Sequence, residues 1–304
     1  MVLQRRLAIV TDSSCCLPKD LQETCGLFVV PHQLVIGGRA SLDGVDIDPV
    51  RFYQMQRRGV TATTSGPSPN AFLQAFLKAG ALCKQVLCLT LSPRFSATTF
   101  DSAQIAARMA KDESPSLDVR VMDTQAAAGA QGLMALGAAR LAWQGASLDQ
   151  TAARVEALMP KVQLLAFLDT LQYLGKSGKI PKVAAWAGSL LGFKPLTEMS
   201  QGEARLIAKP RSRAKAMEQM LQTACQRLNG KPAHVNIMHA AAPDDARELR
   251  LRAQASINCL EVFISEFTPV MGAHTGPGVW GVTFYSESDP PPRNNNQRLP
   301  FLRS

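Results

Sequence analysis

The chain has 304 residues, of which 46% are hydrophobic and 19% are charged. This balance is that of a globular protein and excludes a disordered or fibrous chain, while the length predicts two domains or one large α/β unit. The 33 basic and 24 acidic residues give a net charge of +9, which favours an anionic ligand, an acidic partner surface or anionic lipid. Aromatic residues make up only 6%, so base stacking is poorly supplied and we expect no nucleic-acid partner.

No segment predicts a membrane span or a secretory signal. The uncharged stretch at residues 124–139 is too short and too polar to cross a bilayer, and the apolar run after Arg5 and Arg6 covers only residues 7–10. We therefore expect the protein in the cytoplasm. Its seven cysteines are an odd number without a CxxC pair, so we expect reduced thiols and neither a disulfide framework nor a zinc site.

The first half predicts a repeated unit in which a short apolar strand, a loop rich in Ser, Thr and Asp, and a helix follow one another. The unit occurs four times, with loops at residues 11–14, 63–67, 92–99 and 123–125. Ser68 and Pro69 are typical of a helix N-cap and its first residue, and Gly80 is typical of the end of that helix. Alternating strands and helices predict a mostly parallel sheet, whose polar loops gather at the carboxyl edge, where ligands bind.

The second half begins after a predicted helix at residues 148–159, and we place a domain boundary near residue 160. This division gives an N-terminal α/β domain at 1–160, a mixed α/β domain at 161–286 and a disordered tail, rich in Pro, Asn and Arg, at 287–304. The elements predicted within the second domain are strands at 162–167, 233–238 and 259–266, a hairpin turn at Gln201-Gly202, a helix at 212–228 and a glycine-rich loop at 272–278.

Four residues stand out as candidate ligands for an anion. Thr64 and Ser96 fall in polar loops before helices, where hydroxyls and backbone N–H groups bind anionic oxygens, although both residue types are also ordinary helix caps. His274 lies between glycines that would let a ligand approach, or it is a structural histidine of a turn. Arg211, near the start of a predicted helix, offers a guanidinium fork to a carboxylate or phosphate, or belongs to a solvated basic cluster.

Two catalytic motifs have little support. Residues 175–179 resemble part of a nucleotide phosphate loop, but the first glycine of the Walker pattern is missing, so we predict no nucleotide site there. A Ser-His hydrolase or acyltransferase that uses Ser96 and His274, with Asp12 or Asp123, stays as the alternative function. It rests on residue types alone, because the chain has no GxSxG motif.

Several motifs taken together resemble the DegV family. They are Thr11-Asp12-Ser13-Ser14, Thr64-Ser65-Gly66-Pro67-Ser68-Pro69, Leu91-Ser92 with Phe95-Ser96-Ala97-Thr98, and His274-Thr275-Gly276-Pro277-Gly278. The resemblance extends over residues 7–285. It implies a two-domain α/β fold, with a mostly parallel sheet in the N-terminal domain and a mixed α/β C-terminal domain.

The same resemblance implies that the protein binds a long-chain fatty acid in an interior tunnel, with the carboxylate at the domain interface, and presents it to a fatty acid kinase. On this basis Thr64, Ser96, Arg211 and His274 are the residues expected at the carboxylate. The protein would be a carrier without a cofactor rather than an enzyme, since ATP-dependent phosphoryl transfer belongs to the kinase. Transient contact with an anionic membrane surface stays open.

The chain departs from the family pattern at three places. Gly66 stands where Gln is common, Ala97 stands where Gly is common, and residues 175–179 replace a more basic turn. If that turn meets the kinase, partner recognition differs here while the acyl site is kept. The expectation of fatty-acid binding does not depend on this turn.

Overall fold

The structure is a computed structural model of the chain, in which residues 6–177 and 194–287 are described. Two sequence predictions therefore fall outside the described residues. They are the tail beyond residue 287 and the last two residues of the turn at 175–179.

A four-stranded sheet in the first half is parallel throughout, as predicted. Its strands are β1 (Leu7–Asp12), β2 (Leu27–Val30), β6 (Gln85–Thr90) and β7 (Asp118–Asp123). Their spatial order is β2-β1-β6-β7. All residues of β1 and all but the first of β6 are buried. Central parallel strands are covered on both faces, which explains their nearly continuous apolar sequences.

A second, smaller sheet in the first half is antiparallel and corrects one prediction. It contains β3 (Gln33–Ile36), β4 (Arg39–Leu42) and β5 (Ala62–Ser65), in the order β4-β3-β5. The strand that precedes the Ser68 helix is β5, so the prediction that this unit joins the parallel sheet is wrong. Every second residue of β5 is exposed. A strand with so little apolar surface suits a sheet with one face open to solvent.

The helices of the first half follow the capping signals in the sequence. They are α1 (Lys19–Cys25), α2 (Pro49–Arg57), α3 (Pro69–Gly80), α4 (Pro93–Glu113), α5 (Ala128–Trp143) and α6 (Leu148–Leu158). Ser68 caps α3 by accepting the Ala71 N–H, as predicted. Small residues let α5 approach its neighbours closely, since a Cβ on Gly132 would lie 2.7 Å from the carbonyl oxygen of Cys15.

The second half forms a six-stranded mixed sheet. Its strands are β8 (Gln163–Phe167), β9 (Leu196–Ser200), β10 (Glu203–Ala208), β11 (Ala233–His239), β12 (Cys259–Glu266) and β13 (Trp280–Ser286). Their order is β10-β9-β8-β13-β11-β12, and the β11–β12 pair is parallel while the other pairs are antiparallel. The predicted hairpin turn joins β9 to β10, and Gln201 and Gly202 both take positive φ, as a tight hairpin requires.

The described residues of the second half contain four helices, and the last of them corrects a second prediction. They are α7 (Gln172–Ser177), α8 (Arg213–Leu228), α9 (Pro243–Ser256) and α10 (Pro269–Thr275). The predicted glycine-rich loop at 272–278 is wrong for its first four residues, which complete α10. Pro269 fits the first turn of a helix, and Gly276, at φ +75°, ends it. His274 is therefore fixed in a helical turn.

The apolar core is continuous between the two large sheets. Helix α5 lies between them and contacts β1 on one side and β11 and β13 on the other. One core cluster accordingly contains Ile9 of β1, Leu133 of α5 and Leu164 of β8. All strands of the six-stranded sheet come from the chain after residue 160, and a domain boundary at that point stays a prediction.

Candidate ligand-binding site

A cavity lies between the two halves of the chain, and the empty space that its walls bound is about 990 Å³, its opening included. Most of its wall is apolar, with side chains such as Leu164, Leu168, Met199, Phe267 and Val270. The polar side chains in the wall are Ser14, His32, Thr64, Ser65, Ser96, Thr197, His274 and Thr275. Among the described residues, no Asp, Glu, Lys or Arg lines this cavity. Such a wall suits a largely apolar ligand with a small polar end.

The carboxyl ends of the parallel strands supply much of the polar end. Ser14 follows β1, His32 follows β2 and Ser96 follows β6, while Ala127 lies four residues beyond β7. The polypeptide leaves a parallel sheet at this edge, so side chains and helix N-termini converge there. This part of the cavity therefore lies where the strand pattern predicts a ligand.

Thr64 and His274 contact each other in the cavity wall. Thr64 Oγ1 lies 2.8 Å from His274 Nε2, although the two residues are 210 positions apart in the chain. Thr64 is held by the pairing of β5 with β3, and His274 by the last turn of α10. A hydroxyl and an imidazole are thus fixed side by side, and either can donate to a carboxylate oxygen.

Ser96 interrupts α4 and begins a new helical segment. Its φ of −157° and ψ of 93° are not helical, so the segment that follows starts with Ser96 in a cap-like conformation. The Thr99 hydroxyl donates to Ser96 Oγ at 3.1 Å, and Thr98 Oγ1 lies 3.2 Å from it. The positive end of the restarted helix lies at the cavity wall, which favours an anion there.

Gly66 brings β5 and this helical turn together. A Cβ at Gly66 would lie 2.9 Å from the hydroxyl oxygens of Thr98 and Thr99. Glycine is therefore the residue that allows the close approach, and the end of the strand with Thr64 sits directly against the turn with Ser96. Where Gln is common in the family, this chain has Gly66, and the backbone there packs tightly against Thr98 and Thr99.

Beneath the polar end, a completely buried carboxylate organises a hydrogen-bond network. Asp12 Oδ1 lies 3.0 Å from His32 Nε2 and accepts the hydroxyl of Ser14. Asp12 Oδ2 accepts the Leu91 N–H at 2.8 Å and Gln131 Nε2 at 3.0 Å. Burial raises the pKa of Asp12, but its bonds with His32, Ser14 and Leu91 outweigh burial and lower that pKa below the usual value. Asp12 is therefore ionised at neutral pH.

Of the four residues expected at a carboxylate, the structure brings three together. Thr64, Ser96 and His274 line the same cavity, whereas Arg211 is exposed and does not line it. Its neighbour Arg213 turns inward instead, with ion pairs to Asp245 at 2.9 Å and Asp169 at 3.2 Å. Neither Asp245 nor Asp169 lines the cavity. Arg213 also donates to the carbonyl of Gly278 and so stabilises the loop after α10.

Ser14 lies in one of the polar loops predicted at the ligand edge but is not among the four predicted site residues, and His32 was not predicted at all; both line the cavity. Both follow a strand of the parallel sheet directly or nearly so, which is the position where ligand-binding side chains gather. The same rule, applied to the strand that ends at Val30, would have indicated His32. His32 follows only a short apolar run and a proline, a pattern that gives no local signal of a binding residue.

Ser96 and His274 are not hydrogen-bonded to each other, as the nucleophile and base of a Ser-His hydrolase would be. His274 Nε2 is engaged with Thr64, and Ser96 Oγ with Thr98 and Thr99. Asp12, a candidate third member, holds His32 rather than His274. A nucleophile needs its base within hydrogen-bond reach, and here the base contacts another hydroxyl.

Within residues 6–177 and 194–287, no group of three or more His, Cys, Asp or Glu side chains is placed to hold a metal ion. In the same part of the chain, no helix is both long and apolar enough to span a bilayer.

Fold and cavity define an α/β protein with two large sheets and an internal, mainly apolar binding site. A family model described as "Uncharacterised protein, DegV family" matches residues 6–287, and the chain belongs to the DegV family. A DegV domain-containing protein of Streptomyces coelicolor is 35% identical over 286 residues, which are 93% of this chain and 100% of that protein.

Solved structures of relatives share the whole fold. A DegV family protein from Thermus thermophilus, described as binding fatty acid, is 32% identical, with a TM-score of 0.86 over 93% of this chain and 100% of its own. DegV from Bacillus subtilis, described as a fatty acid binding protein, is 26% identical, with a TM-score of 0.83 over 93% and 100% of the two chains. A stearic acid-binding protein from Eubacterium ventriosum is 25% identical, with a TM-score of 0.83 over 92% and 98%.

Proposed function

We propose that this protein binds a long-chain fatty acid in the cavity, with the acyl chain against the apolar wall and the carboxylate at Thr64, Ser96 and His274. The observation that carries this proposal is the contrast within one cavity, in which apolar side chains form most of the wall and hydroxyl and imidazole donors converge at one place. Burial of each methylene of an acyl chain contributes about 0.8 kcal/mol, so the apolar wall supplies affinity and the polar end supplies orientation.

The protein acts as a carrier, and the bound carboxylate is phosphorylated by a separate fatty acid kinase. In that step a carboxylate oxygen attacks the γ-phosphate of ATP, giving an acyl phosphate and ADP, and the kinase supplies the nucleotide and Mg²⁺. The carrier contributes orientation of the carboxylate. It meets the kinase in the cytoplasm, where the net charge of +9 also suits transient contact with an anionic membrane surface that supplies acyl chains.

Identification of the bound molecule tests the proposal directly. We expect native mass spectrometry of the full chain purified from cells to show one noncovalent adduct, and organic extraction to release a free fatty acid in a one-to-one ratio. Incubation of the loaded protein with a fatty acid kinase, ATP and hydroxylamine should then yield the fatty hydroxamate. A protein that is empty and takes up no added fatty acid would refute the proposal, and an acyl group covalently attached to Ser96 would support the hydrolase alternative instead.

A further inference from the structure

Helix α10, which carries His274, obtains its N-terminal cap from a distant part of the chain. Its first residue, Pro269, has no N–H, so the N–H of Val270 is the first that needs an acceptor. Within the described residues, the side chain of the N-cap residue Thr268 accepts no N–H of the helix. Asp43 Oδ1 accepts the Val270 N–H instead, at 2.9 Å and across 227 positions of the chain. Asp43 therefore does for α10 what a neighbouring Ser or Asp does for other helices.

The Asp43 side chain is itself held firmly. It follows β4, is only 2% exposed, and accepts the hydroxyl of Ser13 on Oδ2 at 2.6 Å. The backbone N–H of Asp43 donates to the carbonyl of His32, the residue before β3, at 3.0 Å. Both carboxylate oxygens thus have donors, and a buried polar group whose bonds are all made is rigid. Asp43 is therefore a fixed support for the start of α10.

Helix α2 holds the same segment at two further points. The Tyr53 hydroxyl donates to the carbonyl of Phe267, just before α10, at 3.0 Å. Gln56 Nε2 donates to the carbonyl of Gly272, within α10, at 3.0 Å. Gly272 also lets the helix pack against the Tyr53 ring, since a Cβ there would lie 2.5 Å from the phenol oxygen. The start and the middle of α10 are thus fixed by the first half of the chain, and His274 lies two residues further on.

The small sheet therefore positions both members of the pair formed by Thr64 and His274. Thr64 lies on β5, which pairs with β3, and β3 pairs with β4, the strand that ends directly before Asp43. Through the Asp43 cap, the same sheet holds α10, where His274 Nε2 lies 2.8 Å from Thr64 Oγ1. Hydrogen bonds weaken steeply when their distance or angle changes, so a small shift of α10 would separate the two donors.

We propose that Asp43 is a positioning residue for the fatty-acid carboxylate. By capping α10 it holds His274 against Thr64, in the arrangement from which one carboxylate can accept hydrogen bonds from both. Asp43 itself is not part of the described cavity wall, so its effect on binding passes through α10. The inference rests on the proposed function, since it assumes that the carboxylate binds at this pair.

Histidine NMR of the full, delipidated chain measures the position of His274 directly. The sequence has four histidines, so ¹³C,¹⁵N-labelled histidine gives few signals, and the His274 signal is the one missing from H274Q. We expect D43A to shift this signal, because the ring leaves its contact with Thr64. D43N should leave it nearly in place, since the amide oxygen still accepts the Val270 N–H and the Ser13 oxygen can accept from the amide group.

Equilibrium binding of radiolabelled hexadecanoic acid tests whether this position matters to the ligand. We expect D43A to weaken binding by at least about tenfold and D43N by less than about threefold. In the H274Q background, D43A should cause little further loss, because the residue through which Asp43 acts is gone. D48A is the matched control. It removes an Asp cap from α2, where the side chain accepts the Arg51 N–H at 2.8 Å, so it should lower stability but change neither the affinity nor the His274 signal.

Each other result has a definite meaning. An unshifted His274 signal in D43A, or losses of D43A and H274Q that multiply in the double variant, would overturn the positioning role while leaving fatty-acid binding intact. Failure of the unmodified protein to bind hexadecanoic acid would overturn the proposed function, whereas the His274 signal would still report on the cap. If D43A does not fold, D43S takes its place in the same cycle, because its hydroxyl can still bond to Ser13 but ends one bond short of the carboxylate oxygens.

Discussion

Thr64 shows how much a single side chain in this site depends on partners far away in the sequence. Its hydroxyl contacts His274 at 2.8 Å, and the neighbouring Gly66 sits against the turn that carries Ser96. The hydroxyl is thus the link between the small sheet and α10 at the polar end of the cavity. Thr63, the preceding residue of β5, lies on the opposite face and is exposed.

Replacement of Thr64 by Val tests this hydroxyl with almost no change of volume. We expect T64V to weaken fatty-acid binding by about tenfold or more, because a hydrogen bond to a charged group contributes about 1.5–3 kcal/mol. T63V makes the same chemical change on the solvent side and should bind as the unmodified protein does. Equal affinities of T64V and T63V in equilibrium binding would remove Thr64 from the site.

Strand β13 shows how an element positions the cavity wall. It lies between β8 and β11, and Gly281 is paired with Ala166 of β8, which lines the cavity. A Cβ at Gly281 would lie 2.3 Å from the carbonyl oxygen of Leu165, a backbone atom that can move only with its strand. Glycine at this position therefore sets the spacing of the strands behind the acyl site.

We accordingly expect G281A to lower the free energy of unfolding by about 1–3 kcal/mol, the usual cost of overpacking a core. Chemical denaturation measures the change. G137A in α5 is the comparison, since its new Cβ would meet the end of the Leu158 side chain at 3.3 Å and the Tyr285 hydroxyl at an ordinary contact distance of 3.8 Å. Alanine also favours a helix by up to about 1 kcal/mol. Equal stability of G281A and the unmodified protein would mean that β8 shifts without cost.

At the scale of the whole molecule, an ion-pair network ties helices of the first half to strands of the second. Arg140 of α5 forms two bonds with Glu261 of β12, at 2.6 and 2.5 Å, and His234 Nδ1 lies 2.6 Å from the same carboxylate. Arg154 of α6 contacts Glu287 at 2.7 Å. The network lies on the far side of α5 from β1 and contains no cavity residue, so its role is to hold the halves together.

This network predicts a pH dependence of stability. Burial lowers the pKa of His234, but its bonds with Glu261 and Glu287 outweigh burial and raise that pKa above the ordinary value. His234 therefore contributes fully to the free energy of unfolding below about pH 6.5, and this contribution is lost as the pH rises through the higher pKa of the folded state. Burial raises the pKa of Glu261, but His234 and Arg140 together lower it to about 2, so its contribution is lost only as the pH falls from about 4.5 toward 2.

Thermal unfolding across pH, with H234Q beside the unmodified protein, measures the His234 term. At about pH 6, H234Q should be less stable than the unmodified protein. Between about pH 6 and pH 9 the unmodified protein should lose more stability than H234Q does, so the two curves converge at high pH. His239 provides a contrast, because burial lowers its pKa to about 4 and its folded form resists protonation. H239Q should therefore gain relative stability on acidification below about pH 6.5. Parallel curves for H234Q and the unmodified protein would show that the network is not sensitive to this proton.

Much of the fold could be predicted because its signals are local. The caps of α3 and α8, the turn at Gln201-Gly202 and the buried strands β1 and β6 each depend on a few adjacent residues. The adjacent residues likewise predict that Ser96 lies where a helix begins. These features held because local backbone preferences and tertiary packing agree at those places.

Tertiary structure decided the features that depend on distant partners. Pairing with β3 put β5 in a separate antiparallel sheet, and packing beside the cavity turned the first part of the glycine-rich segment into α10. The exposed position of Arg211 follows from how α8 lies on its sheet, which no local pattern encodes.

By itself, the sequence determined the capped helices, the apolar strands of the parallel sheet, the polar edge where a ligand would bind, and membership of the DegV family. Only the folded chain decided which polar residues share that cavity, bringing His32 onto the face of Thr64 and setting Asp12 behind it. The physical reason is one of distance along the chain. Helix caps and apolar runs act over a few residues, whereas the contact of Thr64 with His274 closes a loop of 210 positions and exists only once both halves have packed.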